Sequence, residues 1–153
     1  MSARASLSLL IELRRRERDR VAGVAAQARR EADNATATLR MLEGYLREYR
    51  QRAPKALLQP TEASSVRIHE HFVGKLDTAI DDQTQRAKAL CEREIAQRAA
   101  LSEEQRRLKA LEVLEQRRES ARRRRLEVAE QKQTDEFAAQ AFARGRPRET
   151  RDE

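Results

Sequence analysis

Aromatic side chains are almost missing from this sequence. Its 153 residues include two tyrosines, three phenylalanines and no tryptophan, too few to fill the thick interior of an ordinary domain. Turn formers are equally scarce, with four glycines and three prolines, which excludes a loop-rich or many-stranded fold. Cys91 is the one cysteine, so no intrachain disulfide can form, and a metal cluster is not expected. Long apolar runs are absent as well. The N-terminal run Leu9-Leu10-Ile11 is broken by Glu12. That is too short for a secretory signal, no transmembrane stretch follows, and the expected compartment is the cytoplasm.

What is present is charge and alanine. Charged residues make up 39% of the chain and hydrophobic residues another 39%, with a net charge of +7. A basic balance permits an acidic protein, a nucleic acid or an anionic membrane surface as partner, and selects none of them. Such a composition suits long helices with few turns, or disorder. Periodicity decides between the two.

Alternating steps of four and three connect Leu7, Ile11, Arg14, Arg18, Val21, Ala25, Ala28, Ala32, Ala35, Leu39, Leu42, Leu46 and Tyr49. Only the two arginines break the stripe. A heptad seam sustained for about six repeats is the signature of a coiled coil. Its alanine section allows close helix approach but buries little area. The stretch PKALLQPTEAS, residues 54–64, holds the two interior prolines and reads as the connection, with Leu57 and Leu58 folding over the hairpin end. A rougher seam follows through Val66, His69, Val73, Leu76, Ile80, Gln83, Ala87, Leu90, Glu94, Gln97, Leu101, Glu104, Leu108, Leu111 and Glu115. Ala121, Val128, Ala129, Phe137, Ala138 and Ala141 continue it weakly.

The expected fold is therefore all-α: a long antiparallel two-helix coiled coil, an α-helical hairpin with the second helix longer than the first. Residues 1–153 form one hairpin in this reading. Helix 1 covers about 4–52, the connection 54–64, helix 2 about 65–143, and residues 144–153 a frayed tail. Ser6 or Ser8 is the expected cap of the first helix, and Thr61 or Ser64 that of the second. A two-helix hairpin has little interior in which to enclose a substrate, which disfavours an enzyme.

Facing residues of an antiparallel pair have nearly constant summed residue numbers. Leu39 with Ile80 and Leu46 with Val73 share one such value, as core partners should. Tyr49 with Phe72, Tyr45 with Leu76, and Leu42 with Ala79 share another. Leu42, Tyr45, Tyr49, Phe72, Leu76 and Ala79 thus lie at one level, near the turn. They form either a side strip beside the core or, for Leu42, Tyr49 and Leu76, part of the seam itself.

The densest basic stretch is residues 105–125, with nine Lys or Arg against three Glu. Its start is expected opposite the N-terminal arginines Arg14, Arg15 and Arg18. With Arg117, Arg118, Arg122, Arg123, Arg124 and Arg125 they would make the open end of the hairpin positive, suited to steering into an acidic partner. For many of these positions a solvated helix face, mixed with glutamates, is the plainer reading. His69 and His71 point to different helix faces, and Cys91 lies turns away, so no metal site is expected. No phosphate-binding glycine loop is present. Gly44 and Gly74 fall at one level and either allow closer contact or are tolerated surface positions.

These blocks carry a resemblance. The start LLIELRRRERD, the block LRMLEGYLREYR at residues 39–50 and the block FVGKLDTAI at residues 72–80 are similar to the flagellar type III export protein family FliJ, and the similarity covers nearly the whole chain. It implies a small cytoplasmic antiparallel coiled coil without catalysis or cofactor. It implies three partners: the hexameric flagellar export ATPase, with the open end of the hairpin entering the ring; the cytoplasmic domain of the large export-gate membrane protein; and export chaperones, which such proteins escort and recycle. The family's exposed gate-docking patch falls on Leu42, Tyr45, Tyr49, Phe72, Leu76 and Ala79. The family positions at its edges are Thr38 and Gln83 here, where members also carry other polar residues. Association with the inner face of the cell membrane would be peripheral, through partners. Two rival classes stand beside this reading: a basic coiled coil that binds nucleic acid, and the equivalent stalk protein of a virulence-type secretion system. No nucleic acid is expected under the leading reading.

Overall fold

A computed structural model describes the backbone of residues 2–57 and 63–146, and the side chains of residues 2–52 and 63–146. Two helices account for it: α1, Ala3–Leu57, with 55 residues, and α2, Ala63–Gly145, with 83. They pack against each other as a helical hairpin whose second helix is the longer.

The helix ends differ in detail from the sequence reading. Ser2, rather than Ser6 or Ser8, caps α1: the Ala5 amide donates to its hydroxyl at 3.3 Å, and the Ser6 amide donates to its carbonyl at 3.1 Å. A short hydroxyl ahead of the first turn satisfies donors that the helix itself leaves open. At the other end α1 runs through Pro54 to Leu57. Lys55, Ala56 and Leu57 are strong helix formers and carry the backbone past the missing amide. Ser64 lies inside α2 and so does not precede it. Thr61, Leu58 and the tail from Pro147 onward fall outside the described residues, as does the Leu57 side chain.

The chain divides into two compact units. In the unit Glu12–Leu108 the helices run antiparallel. From Tyr49 toward Arg14 along α1, cross-helix partners climb along α2. Tyr49 meets His69 and Phe72, Ala35 meets Gln83, Glu31 meets Arg93, and Arg14 meets Glu104. Val21, Ala28, Ala32, Ala35, Leu76, Ala87 and Leu108 are buried, while Leu39, Leu42, Leu46, Val73 and Ile80 are half-buried. The predicted seam is the observed one. Among the described residues no large side chain is fully buried, so packing depends on close approach over alanine rather than on bulk. Two polar seam positions of α2 reach across to α1. The Gln83 amide donates to the Ala35 carbonyl at 3.0 Å, and the buried Glu104 carboxylate lies 3.6 Å from the Arg14 guanidinium and 3.0 Å from that of Arg107.

In the unit Met1–Ile11 with Lys109–Glu153, Leu7 and Ile11 are buried and Leu111 and Val113 half-buried. Glu115, expected in the seam, is exposed. From Ser120 to Arg146 every residue is exposed, including Leu126, Val128, Phe137 and Phe142. The weak stripe from Ala121 to Ala141 therefore meets nothing among the described residues. Local pairs support the helix there: Arg122 with Glu119, Gln131 with Asp135, and the Thr134 hydroxyl donating to the Glu130 carbonyl.

Candidate interaction surfaces

Near the α1 C-terminus the seam alternates Leu39, Leu42, Leu46 and Tyr49, and on α2 it alternates His69, Val73, Leu76 and Ile80. Each seam has two flanks. On one side lie Arg50 and Asp77, each just after a seam position. They form an ion pair at 3.2 Å and close that flank. On the other side lie Tyr45, Phe72 and Ala79, each just before a seam position, as such flanks pair in antiparallel coiled coils.

The six residues of the expected strip are thus divided. Leu76 is buried at 9% exposure, and Leu42 and Tyr49 are half-buried, so these three belong to the seam. Tyr45 at 53% and Phe72 at 45% stand open, and Ala79 is exposed beside them. The two sequence readings each hold for half the set. Tyr49 joins them: its ring stacks on His69 at 4.8 Å and 14°, and meets the Phe72 ring at 4.6 Å and 36°. A ring held in this way loses little freedom when a partner covers it, which suits Phe72 as an anchor. Met41 and Ile68, also exposed, lie next to Tyr45 and Phe72 on the outer side of this flank. The sequence reading passed over them because they stand outside the heptad seam. Their signal was large apolar residues at positions where solvated helices carry charge.

The arginines behave differently from the expected open positive surface. In the unit Glu12–Leu108, Arg14 is half-buried against Glu104, and Arg18 pairs with Asp19 at 2.7 Å. Arg15 is exposed. Nearby, Arg20 holds Glu17 through a 2.6 Å hydrogen bond, which lowers the Glu17 pKa and raises that of Arg20. In the other unit, Arg122 and Arg123 both reach Glu119, at 2.9 and 3.4 Å, and Arg4 approaches it at 4.0 Å. The Arg122 hydrogen bond is the main reason that the Glu119 carboxyl titrates below its ordinary value, and the Arg122 guanidinium is raised in turn. Arg117, Arg118, Arg124 and Arg125 are exposed and make no ion pair among the described residues. An open groove of about 680 Å³ runs beside Arg118, Arg122 and Arg123, floored by Ala3 and Leu7.

Among the described residues no group of His, Cys, Asp and Glu is arranged to hold a metal. Among the described residues no helix is long and apolar enough to cross a membrane. Gly44 and Gly74 have open space where a side chain would stand, so closer helix contact is not their role. In comparison with known proteins, the family model described as flagellar FliJ protein matches residues 3–147. No curated protein and no solved structure matches the chain.

Proposed function

Because this chain belongs to the flagellar FliJ protein family and is therefore a flagellar export-related coiled-coil protein, we propose that it serves as a non-enzymatic stalk of the type III export apparatus. In this role it binds the hexameric export ATPase through arginines and docks on the cytoplasmic domain of the large export-gate membrane protein through the Tyr45–Phe72 flank. It also escorts or recycles export chaperones. It works on the cytoplasmic side and reaches the membrane through its partners.

The single observation that carries the docking role is the pair of exposed rings, Tyr45 and Phe72, on the flank opposite the Arg50–Asp77 ion pair. Rigid aromatics on a helix give large contact area at low entropic cost, which is why they dominate interface energetics. For the ATPase, the supporting feature is the set Arg117, Arg118, Arg124 and Arg125, whose charge is not spent on neighbours. Arg122, Arg123, Arg14 and Arg18 contribute less to an outside partner, since each already has a carboxylate.

Titration of the full chain and of Tyr45→Ala against the purified gate cytoplasmic domain tests the docking role. The variant is expected to lose affinity about tenfold, with unchanged melting. Equal affinity for both proteins would remove the flank from the interface. The nucleic-acid reading predicts instead a steep fall of RNA or DNA binding with salt, spread over all the arginines.

A further inference from the structure

We propose that the bare part of α2 is the contact surface for a second copy of this chain, laid antiparallel along a stripe that runs from Glu119 through Leu126 and Phe137 to Arg144. This holds whether or not the docking and ATPase roles do. Within the unit Met1–Ile11 with Lys109–Glu153, α1 covers α2 as far as Glu119, which Arg4 approaches at 4.0 Å. Beyond it α2 runs bare to Gly145, about 39 Å of helix. From the half-buried Leu111, two steps of four reach Glu119, so the stripe prolongs the side of α2 that α1 covers. Steps of four and three then lead along that side to Arg144. Leu126 is 53% exposed on it and Phe137 76%. Arg144 is exposed and makes no ion pair among the described residues.

The stripe selects its own occupant because it matches itself reversed. Laid antiparallel, Glu119 of one copy stands at Arg144 of the other, and Leu126 at Phe137. Arg123 stands at Gln140, and Glu130 at Gln133. Each pair has the same summed residue number, and two-fold symmetry makes each pair twice. Apolar meets apolar, acid meets base, and no layer sets like charges opposite. A parallel copy sets Glu119, Arg123, Glu130 and Arg144 each against itself, and that repulsion disfavours it. The extents match as well. With its Arg144 at Glu119, the α2 of the second copy ends, at Gly145, at the level where α1 begins. The second helix thus takes over the seam where the first leaves it. A strip about 39 Å long and about 10 Å wide covers roughly 400 Å² on each copy, which is the small, transient class of interface. The dimer is therefore reversible and appears as concentration rises. Arg117 and Arg124 lie on the opposite side of the helix and stay free for another partner.

Sedimentation equilibrium of the full-length chain from about 5 to about 500 µM tests this. A reversible monomer–dimer equilibrium is expected. Leu126→Gln and Phe137→Ala put good helix formers in place. Each is expected to weaken association about tenfold or more, with the helicity of the dilute chain unchanged. Arg123→Cys and Gln140→Cys, each made in a Cys91→Ser background, read the orientation. Their mixture is expected to cross-link through a short bifunctional thiol reagent. Neither alone should do so, since like positions stand about 25 Å apart in the antiparallel pair. A monomer at every concentration would overturn the proposal. A dimer that both apolar variants leave unchanged would place the contact elsewhere on the chain and overturn it too. Cross-linking of Arg123→Cys to itself would assign a parallel pair and overturn the antiparallel stripe.

Discussion

Arg14 meets Glu104 across the helix pair at 3.6 Å, and Glu104 is a buried carboxylate whose Oε2 atom accepts no hydrogen bond. Charge at this seam position is held by one arginine from each helix, Arg14 and Arg107. Removing one partner of a buried pair leaves the other uncompensated, whereas replacing both with apolar residues is often neutral or stabilising. Arg14→Leu is therefore expected to destabilise the hairpin by about 2–3 kcal/mol. Arg14→Leu with Glu104→Leu is expected to recover that loss or exceed the parent. Urea unfolding of the two single variants and the double variant measures the coupling directly.

Tyr45 and Tyr49 are one helical turn apart and should respond oppositely to truncation. Tyr49 stacks on His69 and Phe72, so Tyr49→Ala is expected to cost about 2 kcal/mol or more of stability. Tyr45 is more than half open, and Tyr45→Ala should change stability by less than about 0.5 kcal/mol. Thermal unfolding followed by circular dichroism separates the two. Equal losses would place both rings in the core.

For the arginines, the expected order of importance to an acidic partner follows their ion pairs. Changing Arg117, Arg118, Arg124 and Arg125 to glutamine should weaken ATPase association and flatten its salt dependence. Changing Arg122 and Arg123 should do less, because Glu119 already neutralises part of their charge. A salt series of binding isotherms reads both. Identical slopes for the two variants would sink the distinction.

Acid should weaken the helix in residues 115–125. Hydrogen bonding to Arg122 lowers the Glu119 pKa in the folded chain. A lowered carboxyl stabilises the fold above its unfolded value, near 4.5, and that contribution is lost as pH falls through the lower folded value. Glu17, lowered by Arg20, acts in the same sense. Helicity followed from pH 7 down to about 3 should fall less steeply in Glu119→Gln than in the parent. Both groups are solvent-exposed, so the effect is small and largest at low salt.

Much of the fold was legible because burial follows the heptad. Every position in the first predicted seam from Leu7 to Tyr49 is buried or half-buried, since a 3.5-residue apolar repeat leaves a helix only one way to face its partner. The second seam was legible as far as Leu111 and failed at Glu115, where periodicity continued but nothing packed. A sequence stripe reports what could be buried, not whether a partner is present. Pro54 misled for a related reason. A proline's local cost is visible in sequence, while the helix formers that carry α1 to Leu57 act together. The candidate docking residues were half legible. Position along the hairpin placed Tyr45 and Phe72 at one level, but only side-chain exposure separated them from Leu42 and Leu76. The basic residues were least legible, because composition counts charges and cannot tell which are already paired.

The bare part of α2, Ser120 to Gly145, is wetted on every side. A helix with no packed face has only its own backbone bonds and a few neighbouring pairs to keep it wound, without the tertiary packing that supplies most helical stability in proteins. It opens at little cost, and an opened backbone is what a protease cuts. Any partner that lies along it closes the helix by mass action and shields it.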